Sequence, residues 1–286
     1  MVFNVFNVCA MLFVIFICLY PFWYVFMVSI NDNSYATYIG RYLLPAKATA
    51  DNYRIVLLTP TLVRGFMVTI SRTLVGGIVS VFFSGALGYA LSRKEFIGRK
   101  VIGRILVVLL YINAGIIPIY LIIRGLHLLD TFWVLILYGM FNGFFILLMK
   151  SFFMQIPDGL VEAAKIDGAN DTWIYIRIVI PTSKAVFATI SLFMMVAYWG
   201  DWFTGDVFIT NPNLLPIQTI LMRIIKNLVA NDMLAKAANT VGYTGHSAVE
   251  SVKMASIILT IVPIICIYPF LQKYFISGLM LGSIKE

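Results

Sequence analysis

Six stretches of roughly twenty predominantly apolar residues, set apart by polar connections, constrain this chain more than any other feature. They run over Val5–Ile30, Gly65–Ser92, Ile105–Ile123, Phe132–Phe153, Ala185–Phe203 and Met254–Phe275. Lipid offers no partner to an open backbone, so a segment that crosses it must be a helix or part of a closed barrel. The alternation that would mark barrel strands is missing. The predicted fold class is therefore an all-α integral membrane protein with six transmembrane helices. Composition agrees: 61% of the 286 residues are hydrophobic and 12% charged, against roughly a quarter charged in soluble domains.

The basic residues set the topology. Arg93, Lys94, Arg99, Lys100 and Arg104 surround a single acid, Glu95, between the second and third stretches, and such an excess marks the cytoplasmic side. Parity then puts the loop after the fourth stretch on that same side, with both termini inside (N-in/C-in); Lys273 and Lys285 agree. The formal charge of +8 does not form a patch suited to nucleic acid; it lies at the ends of apolar runs, where it contacts anionic lipid. The first stretch reads as a retained span rather than a signal peptide, since it lacks a basic leader and a small-x-small cleavage site. Cys9, Cys18 and Cys266 lie within apolar runs without a C-x-x-C pair or a nearby histidine, so they are expected to be buried packing residues.

Between the fourth and fifth stretches lies the densest polar island, Val161-Glu162-Ala163-Ala164-Lys165-Ile166-Asp167-Gly168-Ala169, followed by Ile178-Val179-Ile180-Pro181. Pro157 suits a first helical turn, Asp158 and Glu162 complement the positive end of the helix dipole, and Gly168 provides a stop. The helix between is too short to stand alone and must be held by packing. Leu160, Val161, Ala164 and Ile166 supply an apolar face; Glu162, Lys165 and Asp167 point elsewhere. Ala163 and Ala164 keep one side slim, so the helix reads as a knob for a socket. An ordinary amphipathic loop helix is the plainer alternative.

The joint spacing of Glu162, Ala163, Ala164, Gly168, Ile178 and Pro181 resembles the EAA loop of permease subunits of binding-protein-dependent ABC importers, departing only at Ile180, where leucine is usual. The Asp167-Gly168-Ala169 continuation is similar to the carbohydrate branch. So are Gly88-Tyr89-Ala90-Leu91-Ser92-Arg93, Asn113-Ala114-Gly115-Ile116-Ile117-Pro118 and Leu128-Leu129-Asp130-Thr131-Phe132-Trp133, which look like the maltose-type permeases, in particular the lipo-oligosaccharide and polysaccharide subgroup. The resemblance covers nearly the whole chain. It implies a single importer transmembrane domain over residues 1–286 in a bacterial inner membrane, with a coupling loop at 157–181 and a long external loop at 205–252. It also implies that Glu162, Ala163, Ala164, Asp167, Gly168 and Pro181 form the coupling site for an ATPase.

The implied partners are a second permease in a heterodimer, two ATPase subunits that carry ATP and Mg, and an extracytoplasmic sugar-binding protein. This chain binds no cofactor or metal of its own by that reading. It also lacks a G-x-x-x-x-G-K-[ST] loop, so it is expected to be a transport subunit and not an enzyme. A substrate path through Arg72, Tyr198, Trp199, Asp201 and Trp202 would offer aromatic faces and a carboxylate to a sugar. The competing reading is an interfacial aromatic belt, with Arg72 either snorkelling to the membrane surface or serving a structural part. His127 and His246 lie in presumed external loops and are expected to be solvated or packed. Rival functions are an amino-acid or peptide permease, a secondary transporter, or an intramembrane enzyme. The last two would need ionisable clusters at the bilayer midplane, where the sequence offers Arg72 alone.

Overall fold

The computed structural model describes residues 2–32, 44–45, 47–112, 114–237 and 250–266. Asn113, Arg41, the polar stretch 239–246 with His246, and the last segment with Pro269, Lys273 and Lys285 lie outside the described residues. The described chain is helical almost throughout, with one isolated antiparallel bridge between Asn31 and Ala48. In order the helices are α1 (Val2–Ser29), α2 (Asp51–Leu58), α3 (Pro60–Ser92), α4 (Arg99–Tyr111), α5 (Ile116–Gly125), α6 (Val134–Leu137), α7 (Gly143–Phe153) and α8 (Asp158–Ile166). There follow α9 (Asp171–Ile174), a π-turn (Tyr175–Val179), α10 (Ile180–Thr182), α11 (Lys184–Gly200), α12 (Phe203–Phe208), a 3₁₀ turn (Pro212–Leu214) and α13 (Ile217–Ala237). A last helix, α14, occupies residues 250–266. Helices α1 and α3 are each long and apolar enough to cross a membrane, and two sharply bent helix pairs, α7 with α8 and α9–α10 with α11, pass the same test as pairs.

The described residues form two compact units, one from the chain up to Phe66 together with residues 217–265, the other from Met67 to Pro216. In the first unit, α1 exposes its apolar surface over most of its length and buries only its end, where Met27 and Val28 pack. That end is closed by α2: the buried Asn52 amide donates to the carbonyls of Ser29 (2.9 Å) and Asn31 (2.8 Å), which have no helical partner. The polar connection between the first two apolar stretches, which reads from the sequence as a loop of moderate length from Asn31 to about Leu62, thus contains a helix whose Asn52 supplies the donor those carbonyls lack. The loop expected at 205–252 likewise contains α13. Ile217, Thr219, Ile220 and Leu221 recur at helical spacing and are buried. Gly65 admits α13 closely, since a Cβ there would meet the Ile220 side chain at 2.6 Å and the Ile217 backbone at 3.3 Å.

The second unit is organised on the small-residue face of α3. A Cβ at Gly76 would stand 2.9 Å from the Tyr198 ring, one at Gly77 2.6 Å from Met195, and one at Gly85 2.5 Å from the Tyr175 hydroxyl. At Gly88 it would crowd backbone atoms of Ile146 and Lys150 at 3.1 and 3.2 Å. Glycine here lets α7 and α11 approach the α3 backbone, which is how helices gain dispersion contact in lipid. Beneath that seam Met149, Phe153, Val161, Ile174, Tyr175, Val179, Val186 and Ile190 form a continuous core.

Several expectations change. The fourth stretch is not one helix: α6 and α7 are separated at residues 138–142, and Asn142 restarts the helix by accepting the N–H groups of Phe144 and Phe145. The third stretch, in which Asn113, Gly115 and Pro118 already mark an interruption in the sequence, does divide into α4 and α5, and Gly115 supplies a positive φ of 79° at the break. Cys9, Cys18 and Cys266 are exposed, not buried. An apolar helix bound for lipid buries no more surface than its neighbours require, so apolar context does not imply burial.

A Gly88→Val substitution should lower the melting temperature of the detergent-solubilised protein, because overpacking against a backbone costs about 1–3 kcal/mol. Gly200→Ala, where nothing lies within 4 Å of the added Cβ, should be neutral in the same thermal scan.

Candidate functional site

Helix α8 begins after Pro157, with Asp158 in its first turn and Lys165 in its last. Both charges complement the helix dipole. Its C-terminus is closed by a paired cap: Gly168, at φ 84°, donates its N–H to Lys165 (3.0 Å), while Ala169 donates to Ala164 (2.9 Å). This is the Schellman arrangement, which requires a left-handed residue and so favours glycine.

Val161 and Ala164 are buried in the core. Leu160 and Ile166, expected on the same apolar face, are exposed, Ile166 at 86%. Spacing explains the difference, because Val161 and Ala164 lie three apart on one side of the helix, Leu160 falls at the edge of that side and Ile166 on the opposite one. Glu162, Ala163, Asp167 and Gly168 are exposed as well. A groove of ≈ 670 Å³ runs along this surface, lined by Leu160, Ala163, Asp167, Gly168, Trp173 and Ile178 among others. Asn170 caps the next helix by accepting the Trp173 N–H at 2.8 Å, which holds the half-exposed indole at the groove. Pro181 follows the π-turn Tyr175–Val179. Its missing N–H and its ring disfavour a normal helical turn there, and the chain bends by 88° into α11.

The basic loop after α3 braces α8 at both ends. Asp158 pairs with Lys94 (3.3 Å) and Arg93 (3.7 Å), and Lys165 pairs with Glu95 (3.1 Å) and Asp171 (3.7 Å). The hydrogen bond to Glu95 is the main cause that raises the Lys165 pKa above its ordinary value. Arg93 also donates to the Phe153 carbonyl at 3.0 Å, the open end of α7, and lies over the Tyr89 ring. The exposed pairs are worth little singly. Arg93 is the stronger brace, being mostly enclosed and bonded to backbone.

A second cluster joins Arg72, Tyr198 and Asp201. Arg72 does not snorkel: it is completely buried, and one terminal nitrogen donates to the backbone carbonyls of Tyr198 and Asp201. Its other terminal nitrogen lies 3.4 Å from the Asp201 carboxylate. These carbonyls close the C-terminal end of α11, where a cation suits both the dipole and the unpaired oxygens. The Tyr198 hydroxyl bridges Ser80 (2.7 Å) and the Ile136 carbonyl (2.7 Å), tying α11 to α3 and α6. Asp201 also accepts the Thr204 N–H at 3.1 Å and so starts α12. Trp199 is buried, whereas Asp201 and Trp202 are partly exposed.

Sequence reasoning missed a third cluster. Asp130, in the turn before α6, receives hydrogen bonds from Thr210 and Asn211, which hold its carboxyl below the ordinary 3.8; the Thr210 hydroxyl is the largest cause. The only signal was the Leu128-Leu129-Asp130-Thr131 run. Ser80 and Ile136 gave none. His127 is exposed. Among the described residues no group of three or more His, Cys, Asp or Glu could hold a metal.

With that geometry in view, comparison with known proteins identifies the class. The model of the family "binding-protein-dependent transport system inner membrane component" matches residues 2–280, and the chain belongs to that family. It is 35% identical to the polygalacturonan/rhamnogalacturonan transport system permease protein YtcP of Bacillus subtilis (strain 168), over 94% of this chain and 93% of that one. It is 36% identical to Protein LplC of the same organism, over 99% and 95%. Among solved structures it is similar to a bacterial ABC transporter involved in the import of the acidic polysaccharide alginate, with a TM-score of 0.84, 33% identity and 96% of each chain covered.

Two outcomes test these clusters. Tyr198→Phe removes a hydroxyl shared by two partners and should lower stability by about 1–2 kcal/mol in a thermal scan. A carboxylate with a depressed pKa stabilises above its unfolded value and loses that stabilisation as pH falls through its folded value. Hydrogen exchange of Thr210 and Asn211 should therefore stay protected from neutral pH down to about 4 and rise only in stronger acid.

Proposed function

We propose that this chain is a transmembrane permease subunit of an ABC importer that moves an oligosaccharide or polysaccharide fragment into the cell, driven by a separate ATPase docked on α8. The carrying observation is the α8 surface within a chain of this family. Val161 and Ala164 anchor the helix to the core, while Glu162, Ala163, Asp167 and Gly168 remain free beside a groove. A short helix with a rigid cap, a slim alanine side and an exposed polar edge is suited to enter a socket on a partner and to push on α7 and α11 through its packing. The relatives' substrates, polygalacturonan, rhamnogalacturonan and alginate, support a polysaccharide-derived cargo. They do not favour an amino-acid or peptide permease.

In this reading the chain crosses a bacterial inner membrane six times with both termini inside. The Arg93 loop and α8 lie in the cytoplasm. The chain pairs with a second, different permease, and two ATPases bind ATP and Mg, since this chain has no phosphate loop of its own. A sugar-loaded binding protein meets the external face, and the pair alternates between outward and inward states as far as differential binding energy allows. Within the suggested substrate path, burial favours a structural part for Arg72, Tyr198 and Trp199, which hold the end of α11. Trp202 and Asp201, partly exposed, are the better candidates to touch a sugar.

Mass spectrometry of the gently extracted complex should find a second permease and a P-loop ATPase with this chain; recovery of the chain alone in a transporting state would overturn the reading. Glu162→Lys should leave the chain folded but reduce ATPase recovery on the same column.

A further inference from the structure

A second cavity, of ≈ 570 Å³, lies where α3 gives way to the Arg93 loop and shares no lining residue with the α8 groove. Its size is that of a small-ligand site. One wall is apolar and follows a stripe of α3: Phe82, Ala86 and Ala90 lead up to Arg93 at helical spacing. The rise from Phe82 to Arg93 is about 16 Å, close to half of a bilayer's hydrocarbon core of about 30 Å. The rim carries both signs of charge, Arg93 and Lys165 against Glu95 and Asp171. Beside it Ile97 is 93% exposed and Phe96 is exposed as well. These are apolar side chains in a basic connection, at the end of a helix long and apolar enough to cross a membrane. Water suits them poorly, and the boundary between headgroups and acyl chains suits them well.

One polar group lining the cavity has no partner. Tyr89 is 5% exposed, and its buried hydroxyl makes no hydrogen bond. The ring itself is held, stacked on Tyr175 at 5.8 Å with the Arg93 guanidinium over it at 5.2 Å. The neighbouring Tyr175 hydroxyl, by contrast, is used, donating to the Phe82 carbonyl at 2.7 Å. All four charges of the rim act electrostatically on the Tyr89 hydroxyl, so it stands just inside the rim. Buried hydroxyls are nearly always bonded, and one left open beside a cavity calls for an acceptor from outside the chain.

We propose that this cavity binds a membrane phospholipid whose zwitterionic headgroup bears a primary ammonium: an acyl chain lies along Phe82, Ala86 and Ala90, the phosphate accepts hydrogen bonds from Arg93, Lys165 and the Tyr89 hydroxyl, and the ammonium donates to Glu95 and Asp171. The inference depends on α3 crossing a membrane and not on the cargo or the ATPase. The two signs at the rim decide the headgroup. An anionic lipid would bring its charge against two carboxylates with nothing to offer them, whereas a phosphate and an ammonium each replace one partner of the Lys165–Glu95 pair. A choline headgroup balances the charge but has no N–H to donate.

The test takes the protein in detergent with the subunits that accompany it, titrates it with palmitoyl-oleoyl phosphatidylethanolamine, phosphatidylglycerol or phosphatidylcholine, and counts retained lipid by native mass spectrometry. Wild type should hold one phosphatidylethanolamine per copy of this chain about tenfold more tightly than either other lipid. Glu95→Gln should cut that preference to about threefold or less, and Ala90→Phe, which narrows the apolar wall, should weaken phosphatidylethanolamine about tenfold. Equal or tighter binding of phosphatidylglycerol would reduce the site to general attraction by the basic loop and overturn the proposal. So would displacement by soluble glycerophosphoethanolamine at the concentrations at which whole lipid competes, or the absence of any retained lipid, which would mean that another subunit covers the cavity. If Ala90→Phe fails to assemble, Glu95→Gln at its exposed position decides alone, and an unchanged lipid preference there overturns the site.

Discussion

Close approach along α3 is the constraint on which the second unit depends. Its glycines place the α3 backbone against the Tyr198 ring, Met195, the Tyr175 hydroxyl and the α7 backbone. In lipid there is little hydrophobic gain from bringing helices together, so association relies on dispersion at short range and on polar groups that meet. The seam supplies both: where the glycines bring α11 in, Ser80 meets the Tyr198 hydroxyl and Arg72 reaches the carbonyls at the end of α11. A larger residue at Gly76 or Gly77 would separate those partners and leave a buried cation without them.

The same helix carries the geometry to the other end of the unit. Past Ser92 the chain turns into Arg93, Lys94 and Glu95, which meet α7 and α8. Helix α8 is consequently joined to α3 by charge, to α7 through an 80° bend and to the core through Val161 and Ala164. A helix that is too short to persist alone is thus held from three directions. That is the condition under which a push on its exposed face would move neighbouring helices instead of merely unwinding the helix itself. Beyond α11, Asp201 accepts the Thr204 N–H in the first turn of α12, and Asp130 holds the segment that follows, so two aspartates set the path out of α11.

Much of this was legible in the residues. Gly168 marked the end of α8, and the structure shows why, through a cap that needs its positive φ. The apolar runs announced a helical membrane protein, and the spacing from Glu162 to Pro181 announced the family. Burial was less legible. Leu160, Ile166 and the three cysteines are apolar and exposed, since a protein surface facing lipid or partner subunits is as apolar as a core. Helix breaks were also partly hidden: Gly115 warned of one, but Gly139 and the Asn142-Gly143 pair sit within a stretch apolar enough overall to be read as one span.

The sequence by itself determined class, family and the local chemistry of α8, because these depend on composition, spacing and short-range backbone rules. Only the tertiary structure decided the partners of Arg72 and Asp130. Each meets groups far along the chain, at Tyr198 and Asp201 or at Thr210 and Asn211. Those acceptors and donors are mainly backbone atoms, which every residue carries alike. No side-chain pattern marks them, and only the folding of α3 against α11, and of the Asp130 turn against the end of α12, brings them within hydrogen-bond reach.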